Sequence, residues 1–115
     1  MRQFHHVGLP TADKQPGEIY VEDTRVWITD PADHPHKVEY LRYEADSPVT
    51  GPLRELPHVA FETDDLEREI AGKNVILAPF RPMEGLTVAF VYEDGAVFEF
   101  MQWDDEPGAF GAQKE

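Results

Sequence analysis

Two histidines and two glutamates carry the chemistry this chain has to offer. His6 and His58 lie 52 positions apart, each followed by valine, a small residue and a large apolar one, in His6-Val7-Gly8-Leu9 and His58-Val59-Ala60-Phe61. Glu39 and Glu99 follow them in matching settings, Val38-Glu39-Tyr40-Leu41-Arg42-Tyr43 and Phe98-Glu99-Phe100-Met101-Gln102-Trp103. Each half opens with a His and closes with a Glu, both inside strand-forming runs. A carboxylate buried ionised and unpaired is costly, so a partner is expected for each. A divalent ion shared by two imidazoles and two carboxylates would supply it. That donor set suits Zn, Ni, Co, Mn or Fe(II) without ranking them. With no cysteine in the chain, thiolate ligands and disulfides are excluded. The remaining histidines read differently. Strict alternation puts His5 on the opposite strand face from His6, and His34 and His36 sit in a proline-punctuated, solvated loop.

The elements that must position these four residues follow from periodicity and turn residues. Phe4–Leu9 reads as a strand, with Phe4, His6 and Gly8 on one face, and the segment from Pro10 to Gly17 reads as a loop without a helix. Strands are expected at 18–22, 25–29 and 37–43, the last with Glu39, Leu41 and Tyr43 on one face. In the second half a strand at 58–62 precedes a helix from Asp64 to Gly72, in which Asp64 caps the first turn and Leu66 and Ile70 share a face. Strands at 75–77 and 86–92 flank a turn at 81–85, and Asp94-Gly95 marks a hairpin into the last strand, 96–103. The second half therefore reads β-α-β-β-β and the first β-loop-β-β-β. From His to Glu the first half is eight residues shorter, about two helical turns.

Length and composition suit one domain over 1–115: a first module at 4–45, a linker at 46–56, a second module at 57–103 and an acidic tail at 104–115. The net charge of −13 argues against nucleic acid and anionic membranes as partners. Neither a membrane-length apolar run nor a signal-type leader is found, so a cytoplasmic location is expected. Dinucleotide-binding, phosphate-binding and serine-hydrolase motifs are absent. Trp27, Tyr40, Phe80, Phe90 and Trp103 offer aromatic walls for a ligand pocket.

The His-Val-Gly and His-Val-Ala strands, the Asp64-Asp65-Leu66-Glu67 helix opening and the Asp94-Gly95 to Phe98-Glu99-Phe100 ending resemble the vicinal oxygen chelate superfamily, over residues 4–103. That superfamily includes glyoxalase I, bleomycin-resistance proteins, methylmalonyl-CoA epimerase and extradiol dioxygenases. The resemblance implies an α+β fold of two tandem βαβββ modules, whose strands form a curved eight-stranded mixed sheet around a metal, here with the first module shortened and lacking its helix. It implies His6, Glu39, His58 and Glu99 as ligands of a divalent metal ion. The function implied is that of an isomerase, epimerase or lyase acting on a small carbonyl-containing substrate. Glu99, or else Glu39, would move a proton on the carbon beside the polarised oxygen. The alternatives are a resistance-type protein that binds a small molecule without turnover, and an iron-dependent dioxygenase with three protein ligands. A homodimer is expected, because the missing helix leaves Val7, Leu9 and their neighbours to be covered by a second chain.

Overall fold

The two halves meet where strand β1 (Arg2–Pro10) pairs antiparallel with β5 (His58–Thr63). In that ladder Val7 lies opposite Val59, its own counterpart in the other half, while His6 faces Ala60 and Gly8 faces His58. A residue paired with its own repeat marks a local twofold axis, and both histidines stand beside that axis. A computed structural model describes residues 2–104; past Asp104, the acidic tail expected at 104–115 lies outside the described residues.

From this seam the halves run outward in the same order. Beside β1 comes β4 (Val38–Tyr43), in parallel, then β3 (Val26–Ile28) and β2 (Ile19–Val21); beside β5 comes β8 (Ala96–Trp103), also in parallel, then β7 (Leu86–Glu93) and β6 (Val75–Met83). The result is one curved, mixed eight-stranded sheet of α+β class. Register then places the carboxylates: Glu39 pairs with Gly8 and Glu99 with Ala60, so each Glu sits one strand away from the seam at the same height. Residues of all eight strands line one cavity, which therefore lies on the concave side of the sheet.

The two sides of the sheet carry separate cores. On the concave side Ala60, Leu86, Val88, Phe90, Val97 and Met101 pack with Val49 and Leu53. These last two come from the segment expected as a linker, where a short helix α1 (Pro52–Glu55) forms and buries Leu53. On the convex side of the second half, helix α2 (Leu66–Ile70) lays Leu66 and Ile70 over Ala89, Val91 and Phe100. It is capped by Asp65, not Asp64: the Asp65 side chain accepts from Arg68 N–H at 3.1 Å, and Leu66 N–H donates to Gln102 Oε1 at 2.7 Å.

No helix forms between β1 and β2, as the eight-residue deficit implies. The convex side of the first half is clad instead by side chains. Tyr20 packs on Trp27 with ring centroids 4.9 Å apart, and the Arg42 guanidinium lies 5.5 Å above the Trp27 ring. Glu18 holds that guanidinium from both ends, at 2.6 and 2.9 Å, and Arg42 in turn holds the Glu18 carboxyl down to about 2. Trp27 and Tyr40 are thus outward-facing, correcting their expected place in the pocket wall. Strand β6 also differs from expectation, running through 81–83 to Met83 despite Pro79 and Pro82. It is an edge strand, where a missing N–H costs little, and two of its three register breaks span the prolines.

Candidate metal centre

The ladder around the axis fixes which side chains converge. His6 and His58 project to the concave side two residues apart in height, and alternation sends Glu39 and Glu99 to that side with them. All four are buried, and their nearest donor atoms lie within 4.8 Å of one another, a grouping able to hold a metal ion. His6 Nε2 is 3.3 Å from both Glu39 Oε1 and Glu99 Oε1; His58 Nε2 is 3.7 Å from Glu39 Oε1 and 3.1 Å from Glu99 Oε1.

Three of those lengths are within hydrogen-bond reach and the fourth is beyond it, yet neither Nε2 makes a well-formed hydrogen bond to a described residue. Both nitrogens are buried, and both face the same two carboxylates. Two donors each ~2.0–2.2 Å from one ion stand about 3.3–3.6 Å apart in a tetrahedral arrangement. The four imidazole–carboxylate separations, from 3.1 to 3.7 Å, bracket that range. An orphaned buried nitrogen is costly, and a cation between two imidazoles and two carboxylates satisfies both nitrogens at once.

With a proton in place of a cation, the same charges act on the imidazole. Burial opposes a charged His6, but the Glu39 and Glu99 carboxylates outweigh it and raise His6 to about 10. Burial would likewise raise Glu99, and the His58 and His6 rings outweigh it, lowering the carboxyl to about 2. Both shifts arise from the same imidazole–carboxylate contacts.

Gly8 makes room for one of the imidazoles. A Cβ on Gly8 would fall 2.1 Å from His58 Cε1 and 2.4 Å from Nε2, so the His58 ring occupies the space a side chain would fill. Phe90 holds the ring's other side edge-on, with centroids 5.2 Å apart.

The cavity over the cluster has a volume of about 830 Å³, within the range of small-molecule sites. Its walls are mainly apolar, with Val21, Val26 and Ile28 from the first half and Phe80, Phe90 and Trp103 from the second. Three of the five expected wall aromatics, Phe80, Phe90 and Trp103, are in place. His34 and His36 pack against each other in their loop, away from the cluster, and do not line the cavity.

His5 does not stay on the opposite face from His6. A β-bulge between Phe4 and His6 breaks the alternation, and the two rings touch with their Nδ1 atoms 2.7 Å apart. His5 joins the cavity wall together with Glu62. The bulge has no signature in the local residues. Glu62 was within reach, since counting in twos from His58 through Ala60 puts it on the ligand-bearing face.

The fold and site together define a curled eight-stranded α+β protein with a buried pair of histidines and pair of glutamates at its axis. Neither a protein-family model nor a curated protein sequence matches the chain. Among solved structures it is similar to a hypothetical protein from Bacillus halodurans C-125, with 20% sequence identity, 91% of this chain and 96% of that chain covered, and a TM-score of 0.69. That likeness extends over nearly the whole sheet and establishes the fold.

Proposed function

We propose that the chain is a glyoxalase-like metalloprotein of the vicinal oxygen chelate type, acting as an isomerase, epimerase or lyase on a small carbonyl compound. One observation carries this reading: two buried Nε2 atoms without a hydrogen bond gathered with two buried carboxylates, their donor atoms within 4.8 Å of one another. His6, His58, Glu39 and Glu99 would hold the ion, whose contribution is to polarise a carbonyl oxygen and make the adjacent C–H more acidic. Glu99 takes that proton in the leading form of the mechanism, and Glu39, across the axis, is positioned to do the same for the opposite side of the substrate. The apolar walls exclude water, which strengthens each of these charge interactions.

A second reading draws support from the same cavity. Its largely apolar lining suits a protein that binds a small hydrophobic molecule without turnover. An iron-dependent dioxygenase, a third reading, would leave one glutamate out of the ligand set. A homodimer goes with each of them. Among the described residues no helix is long and apolar enough to cross a membrane.

Metal analysis of protein purified without chelator tests the proposal. Near-stoichiometric divalent metal, lost in His58→Ala, is the expected result. Protein that carries no metal, and whose melting temperature Zn, Ni, Mn and Fe(II) all leave unchanged, would end the metal reading. Turnover that survives in Glu39→Gln but not in Glu99→Gln would assign the base.

A further inference from the structure

The bulge in β1 joins two imidazoles by a hydrogen bond, and only one of them can donate. His5 Nδ1 and His6 Nδ1 are 2.7 Å apart, so a proton lies on one of the two and not on both. Resting on the metal reading, His6 offers the lone pair of Nε2 to the cluster, and a neutral imidazole then carries its proton on Nδ1. His6 is the donor and His5 the acceptor. The His5 proton is forced onto Nε2, which stands 3.9 Å from Glu62 Oε2. Glu62 is only 4% exposed, and the same oxygen accepts from Trp103 Nε1–H at 3.0 Å, which anchors the carboxylate on the last strand.

We propose that His5 is a positioning residue for the metal centre: it holds His6 in the tautomer and ring orientation that present Nε2 to the ion, while the nearby Glu62 carboxylate favours the His5 proton on Nε2. The second half has no such device, because Pro57 stands where the repeat would place a counterpart of His5. His58 is instead held by packing, between the bare backbone of Gly8 and the edge of Phe90. The two ligands of one type are therefore set by different means, one by a hydrogen bond and the other by packing.

The test uses Zn²⁺ affinity, read by competition with a chromophoric chelator on the full chain. His5→Asn keeps an acceptor oxygen close to the place of Nδ1, and His5→Leu keeps bulk without an acceptor. Loss of a partner to a ligating histidine typically costs 10–100-fold in metal affinity. His5→Leu is expected to lose about that much, and His5→Asn to recover most of it. Equal losses in the two variants, or none in His5→Leu, would overturn the assignment. Ring ¹⁵N NMR of the unaltered Zn-loaded protein gives a reading that needs no variant. A proton on His5 Nε2 with a bare Nδ1 is expected, and the opposite tautomer refutes the proposal. If the unaltered chain binds none of Zn, Ni, Mn or Fe(II), the metal reading falls and the inference falls with it; unimpaired binding by His5→Leu removes the inference alone.

Discussion

The two halves agree on the inside of the sheet and disagree on the outside. Facing the cavity, each contributes one histidine from its seam strand and one glutamate from the parallel strand beside it. On the convex side the second half wears a helix, with Leu66 and Ile70 over Phe100, while the first wears a layer of Tyr20, Trp27 and Arg42 tied down by Glu18. Ligand placement depends on strand register, which hydrogen bonds set residue by residue. Cover for the outer face needs only apolar area and satisfied polar groups, and a helix or a ladder of long side chains can supply it. A crossover helix can therefore be lost without moving the centre.

The largest expected effect lies under the helix. Phe100→Ala removes a ring that is 2% exposed and should destabilise the fold by about 3–5 kcal/mol in denaturant unfolding. Trp27→Ala, on the half-buried outer layer of the other half, should cost clearly less. Comparable losses would mean that the two coverings are equally demanding.

Next in size is the response of the metal-free protein to pH. His6 is raised from 6.5 to about 10 on folding, so its contribution is full below pH 6.5 and is lost as pH rises towards 10. Glu99 and Glu18 are both lowered from 4.5 to about 2, and their contributions are full above pH 4.5 and lost as pH falls towards 2. Alkaline melting thus reports on the shared centre, and acid melting reports on the centre and the first half's outer layer together. Melting temperatures of the metal-free chain should fall between pH 7 and 10, and Zn²⁺ bound at pH 7 should displace the His6 proton, seen as proton release in calorimetry across buffers of different ionisation enthalpy.

Gly8 and Ala60 test how far the twofold symmetry extends. A Cβ on Gly8 collides with the His58 ring, so Gly8→Ala should weaken Zn²⁺ binding by about tenfold or more. Ala60→Gly, the mirror change beside His6, should leave affinity within a few-fold of the native value. Equal sensitivity at the two positions would mean that the halves steer their histidines alike. The smallest effect is expected at the helix cap, where Asp65→Ala should cost about 1 kcal/mol, measurable as a lowered melting temperature.

The grouping of the four buried residues was more legible in the sequence than its surroundings were. His6, Glu39, His58 and Glu99 could be picked out because a repeat aligns residue types, and alternation then sends both glutamates to one face. The missing first helix was legible as an eight-residue deficit. Features that depend on a neighbour were not. The bulge that brings His5 to His6 arises between two strands, and β6 survives Pro79 and Pro82 only because it lies at an edge. Two adjacent aspartates compete to cap α2, and Gln102, thirty-six positions away, helps to select the start at Leu66. Trp27 and Tyr40 have the composition of pocket walls, but the parity of their strands turns them outward.

The self-pairing of Val7 with Val59 bears on orientation. A twofold axis interchanges the two glutamates by rotation, so a molecule bound at the centre would have two equivalent poses, one the rotated copy of the other. Glu39 and Glu99 stand on opposite sides of that axis, so the pose selects which glutamate meets which side of the molecule. The walls break the tie, because aliphatic Val21, Val26 and Ile28 face aromatic Phe80, Phe90 and Trp103 across the cavity. Which of the two glutamates a bound molecule would meet is therefore a property of the walls, and it can be altered without touching the four residues at the axis.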